Sequence, residues 1–164
     1  MTKILLSLHV LAAIVAVGPV TVAASMFPAA ARRVPVAATV GGADGAAAGD
    51  AGGVGTVRLL HRICRVYAGL GIAVPVLGFA TAAAMGVLSD AWLVASITLT
   101  AVAAGLLAAF VLPRQEELLE ELADGRPVER ARTARLAMFT GVFNLLWATV
   151  TVLMIVRPGS TTGA

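Results

Sequence analysis

Charge is what this chain has least of. Charged residues make up 13% of its 164 residues, and four runs, Ile4 to Ala31, Val66 to Ser89, Ala91 to Pro113 and Leu136 to Val156, carry none at all. With no acid in any run, a serine-histidine-acid catalytic set cannot assemble within them, and Asp90 is the one acid expected beyond their outer ends. The single cysteine, Cys64, excludes an intramolecular disulfide and leaves no second thiolate at metal-ligand spacing. Histidine is limited to His9 and His61. The ten-residue alternation of a membrane β-barrel is also missing.

What fills the space is hydrocarbon. At 59% hydrophobic residues the composition is not that of a soluble domain. Each uncharged run reaches the roughly 20 residues that a helix rising about 1.5 Å per residue needs to cross a bilayer core. Backbone amides have no water partner in that core, so each run is expected to be helical. The expected fold is an all-α membrane protein, an antiparallel bundle of four transmembrane helices in one domain covering residues 1–164. Its spans fall at about 4–27, 66–88, 91–112 and 136–156, with a flexible loop over 34–57 and a charged segment over 114–135.

The net charge of +3 and the high pI read as topology rather than as nucleic-acid binding. Of the 12 basic residues, all but Lys3 and Arg157 fall on one side of a four-span chain. The positive-inside rule then puts both termini outside and both long loops in the cytoplasm of a bacterial cell. The first run also has features of a signal peptide, with Lys3 before it and Val22-Ala23-Ala24 like a cleavage site. Its length and the trailing Arg32-Arg33 favour a retained helix.

Within the first span, His9, Ala12, Ala13 and Ala16 share a face expected to point at neighbouring helices, while Leu8, Leu11, Val15 and Val22 form the lipid face. Pro19 and Pro75 each remove an amide donor and should kink their spans near mid-membrane. Residues 34–57, rich in glycine and alanine, have too little apolar surface to offset ordering and read as a linker. They lack the Gly-Lys-Ser/Thr ending of a phosphate loop. Gly71, Pro75, Gly78, Ala82 and Met85 make one small-residue face, and Ala101, Gly105 and Ala109 another, both suited to close helix packing or to an oligomer. Gln115 to Ala123 reads as a short helix, at the interface or extending the third span, with Leu118, Leu119 and Leu122 on one side and Asp124-Gly125 ending it.

The fourth span sets Thr140, Gly141, Asn144, Ala148 and Thr151 on one face against Phe139, Val142, Phe143, Leu146 and Val150 on another. Asn144 falls near mid-depth, where its amide is expected to take a carbonyl freed by Pro19 or Pro75. His9 and His61 should lie about 20 Å or more apart, on opposite faces of the membrane, and so cannot share a ligand. An imidazole with thioether company is the stronger set. His9 with Met85 or Met154 would suit haem iron or Cu(I), while the same residues also suit plain helix packing.

The patterns LHVLAAIVAVGP, WLVASITL, PRQ and VLMIVRP, over nearly the whole chain, resemble a bacterial family of predicted four-helix integral membrane proteins of unknown function. More distantly the layout is similar to the haem-containing membrane protoporphyrinogen oxidases and to copper-resistance D domains, which place a histidine early in the first helix, here His9. That resemblance implies haem b or copper as cofactor. The oxidases also carry a histidine and a lysine where this chain reads Trp92-Leu93-Val94-Ala95-Ser96, so it implies a bound haem rather than the oxidase activity. Three functions follow. The first is a non-enzymatic accessory protein whose partners are the bilayer and other helices, the second a haem or copper protein using His9, and the third a small transporter motivated by the proline breaks and Asn144.

Overall fold

A computed structural model describes residues 2–34 and 43–159, with side chains described for 2–34 and 52–159. The described residues are helical apart from turns and a short extended link over 126–129. In chain order the helices are α1 (Thr2–Ala31), α2 (Ala43–Leu70), α3 (Ala73–Met85), α4 (Ala91–Leu106), a π-helical turn (Leu107–Val111), α5 (Leu112–Ala123) and α6 (Arg130–Val156). α2 with α3, and α4 with the π turn and α5, run on from one another. Four helices, Thr2–Ala31, Gly52–Met85, Ala91–Ala123 and Arg130–Val156, are therefore long and apolar enough to cross a membrane.

The prolines act unequally. α1 continues through Pro19 and through Pro28, which is buried. Pro75 ends regular bonding one turn earlier, at Gly71-Ile72. The Gly71 carbonyl it deprives takes the amide of Val74 instead, at 3.1 Å. The π turn ends two residues before Pro113, which has no amide to offer the Ala109 carbonyl. α5 extends the third span, with Leu118 and Leu122 buried as its spacing predicts, and Gly125 closes it at φ +69°.

The main core runs along α1 through Val20, Ala24, Phe27 and Ala31, meets Val57, Leu60 and Cys64 of α2, and continues through Leu107, Val111 and Leu118 to Leu136 and Phe143 of α6. A smaller cluster joins Ala82, Trp92 and Leu93 at the other end, where Val87 and Met154 pack. There Trp92 donates its indole N–H to Asp90 at 3.0 Å, and the Arg157 guanidinium lies over its ring.

Several sequence expectations need correction. The 34–57 stretch is helical from Ala43 onward, and Val34 and Val57 are buried in the core. Val34 packs on Gly53, 3.4 Å from where a side chain would begin, which is an ordinary contact distance. Residues 35–42 of that stretch lie outside the described residues. On α4 and the π turn the expected Ala101, Gly105 and Ala109 face is exposed, and Trp92, Leu93, Ser96 and Ala103 are buried instead. On α6 the buried line is Thr133, Leu136, Thr140, Phe143 and Val150, which runs between the two predicted faces and leaves Ala148 and Thr151 exposed. α1 follows its prediction. Ala16 is buried, and Leu8, Leu11, Val15 and Val22 are exposed.

Candidate functional site

His9 sits in a seat made by α3. Its Nδ1 is 3.0 Å from the Val74 carbonyl oxygen. A carbonyl only accepts, so Nδ1 carries the proton and, in the neutral ring, Nε2 keeps its lone pair. The ring lies where a side chain at position 78 would be: a Cβ on Gly78 would fall 2.9 Å from Cε1 and 3.5 Å from Nε2. The predicted small-residue face thus accommodates an imidazole at Gly78, whereas Pro75 of that face is exposed and Val74 and Thr81 are buried beside Ala82.

This contact also sets depth. Met85 lies beyond Gly78 on α3 by about 10 Å at 1.5 Å per residue. Met154 packs on the cluster of Ala82, Trp92 and Leu93. The structure therefore draws His9 to Val74 and Gly78, and sets both methionines toward the Trp92 end. Pro75, adjacent to Val74, shares the depth of His9, whereas Pro19 lies about 15 Å further along α1. The two proline breaks are not level with each other. His61 precedes Val74 by about 20 Å along the second span, as the sequence predicts.

Asn144 meets neither proline break. Its Nδ2 donates to the Ser25 hydroxyl at 3.0 Å, and Ser25 in turn donates to the Thr21 carbonyl at 2.6 Å. The amide predicted to mend a proline gap instead ties α6 to α1 through a hydroxyl. The Asn144 Oδ1, the Thr140 hydroxyl and the Trp147 indole N–H are buried without a partner among the described residues.

A second polar group was not foreseen. Gln115, fully buried, lies between α5 and α2 with its Oε1 3.3 Å from Nδ1 of His61 and its Nε2 donating to Sγ of Cys64 at 3.6 Å. His61 and Cys64 are three apart on α2 and so share a face, which is the signal that a buried polar partner was needed. Among the described residues no group of three or more His, Cys, Asp or Glu side chains gathers as a metal site would. Compared with family profiles, with curated proteins and with solved structures, the chain finds no match.

Proposed function

We propose that this is a four-span integral membrane protein with a non-catalytic, accessory role. In this reading the helices are antiparallel in a bacterial cytoplasmic membrane, both termini are outside, and the arginine-rich segments are in the cytoplasm. The observation that carries the reading is its outward surface, where Ile4, Leu11, Ile14, Ile72, Leu145 and Ile155 are each more than half exposed. Water solvates such a surface at a cost, and lipid does not. The His9 ring and the Asn144 amide nitrogen support an accessory role, because each is engaged by a neighbouring helix. The exposed Ala101, Gly105 and Ala109 face supports association with a further helix, in an oligomer or a larger complex. Kinship with the unknown-function membrane family belongs to the same proposal.

Single cysteines test the topology in a chain whose own Cys64 is fully buried. Ser89→Cys should react with a membrane-impermeant maleimide on intact cells, and Gly125→Cys only after permeabilisation. The reverse pattern would invert the orientation, and recovery in the soluble fraction would remove the membrane reading.

One observation favours a second reading, in which His9 binds haem or copper. Ligand histidines characteristically donate the other ring N–H to a carbonyl, as Nδ1 of His9 does to Val74. Nε2 would be the coordinating atom. An absorption spectrum and metal analysis of detergent-purified protein decide it: a Soret band lost in His9→Ala supports the reading, and a colourless, metal-free preparation removes it.

A further inference from the structure

A small pocket between α5 and α6 is lined by Arg114, Leu118, Arg132 and Arg135 and encloses about 60 Å³. Three arginines around one cavity repel each other unless something negative lies among them. Arg132 is already satisfied, with Glu117 at 2.7 Å and Glu121 paired to its other terminal nitrogen. Among the described residues, no acid pairs with Arg114 or Arg135. Counting the two glutamates against the three arginines leaves one positive charge uncompensated.

Arg114 is the unusual member. Its Nη1 is buried with no hydrogen-bond partner among the described residues. The guanidinium is held by aromatic faces, 4.5 Å from the Phe139 ring centre and 5.5 Å from that of Phe110. Those two rings stack on each other at 5.2 Å. A guanidinium fixed in this way at the wall of the pocket is already ordered for a planar or tetrahedral oxyanion.

We infer that this pocket binds the phosphate group of an anionic phospholipid. The inference rests on the membrane reading for its lipid, though not for its oxyanion. The pocket has room for a phosphate group, at about 60 Å³, with the rest of the ligand outside it. Depth points to lipid. Arg114 is the first charged residue after the uncharged run Ala91 to Pro113, where the third span would leave the hydrocarbon. It lies on the arginine-rich side, where anionic headgroups concentrate. Phe110, 43% exposed and one turn back toward the hydrocarbon, offers an apolar wall for the acyl chain.

The test is calorimetric titration of the full chain in a non-ionic detergent with three probes: short-chain phosphatidylglycerol, short-chain phosphatidylcholine and inorganic phosphate. Saturable phosphatidylglycerol binding is expected, weakened about tenfold or more by Arg114→Gln, the ratio for one lost charge-assisted hydrogen bond. Arg135→Gln should weaken it too, which keeps the test open if the first variant misfolds. Arg58→Gln, an exposed charge elsewhere on the same side, should leave it unchanged. Equal affinity for inorganic phosphate would keep the oxyanion site and remove the lipid. Equal losses in the Arg58 and Arg114 variants, or no binding of any probe by protein that still fractionates with membranes, would overturn the site while leaving the four-span reading standing.

Discussion

The imidazole of His9 occupies the volume that a side chain at Gly78 would need, and its Nδ1 is bonded one turn away at the Val74 carbonyl, 3.0 Å distant. The pair is a lock between the first and second spans, and the glycine is half of it.

The lock predicts a change of sign. In a helix, Gly→Ala ordinarily stabilises by about 0.5–1 kcal/mol. Gly78→Ala should instead be neutral or destabilising in the native chain, because the new methyl displaces the ring and weakens a bond worth about 1 kcal/mol. In a His9→Ala background the same substitution should stabilise. Reversible unfolding in detergent over the four variants measures the coupling. Equal effects in both backgrounds would show that ring and glycine act independently.

Asn144 and Ser25 should couple as well. Interhelical hydrogen bonds of this kind average about 0.6 kcal/mol and reach about 1.7. Asn144→Leu and Ser25→Ala should each cost about that much, and the double variant little more than either. Additive losses would place the Asn144 amide elsewhere.

Gln115 should matter more. It is fully buried and serves two partners, so Gln115→Leu strips a partner from His61 and another from Cys64. Each buried polar group left unpaired costs about 1–3 kcal/mol. The readout is Cys64 itself. In the native chain its labelling by a small maleimide should be slow and tied to unfolding, and Gln115→Leu should accelerate it tenfold or more at about 1.4 kcal/mol per decade. Unchanged labelling would mean that Gln115 does not hold α5 on α2.

Arg132 should matter less than its two ion pairs suggest. Its side chain is 35% exposed and that of Glu117 56%. A pair as open as that to Glu117 contributes about 1 kcal/mol or less and is screened by salt, and only the Glu121 carboxylate, 19% exposed, is partly sheltered. Arg132→Gln should therefore lower stability slightly at low ionic strength and hardly at all near 1 M salt, where the Debye length is about 3 Å.

Much of the architecture was legible because hydropathy and length act over whole segments. The four long apolar helices, the exposed Leu8 and Val22 line and the buried Leu118 and Leu122 follow from periodicity alone. What escaped was decided by which helices meet. Val34 and Val57 became core because α2 begins within that stretch and packs along α1, so composition alone misjudged it. Ala101, Gly105 and Ala109 look like a packing face in isolation, yet α4 turns Ser96 and Ala103 inward. At the site, His9 was visible as a polar residue in an apolar run, but its bond goes to a backbone carbonyl, which no side-chain pattern announces. Gln115 and Arg114 were hidden inside a segment that reads as ordinary charged surface.

The π turn at Leu107–Val111 has a consequence for Gln115. Ala103, Leu107, Val111 and Gln115 are all buried and follow one another in steps of four. On a regular helix of 3.6 residues per turn each such step overshoots by about 40°, so three steps would swing Gln115 about 120° out of phase with Ala103. The wider winding takes up that excess. A single loosened turn thus acts as a phase corrector, keeping one continuous seam from the apolar middle of the third span to the histidine and thiol of the second.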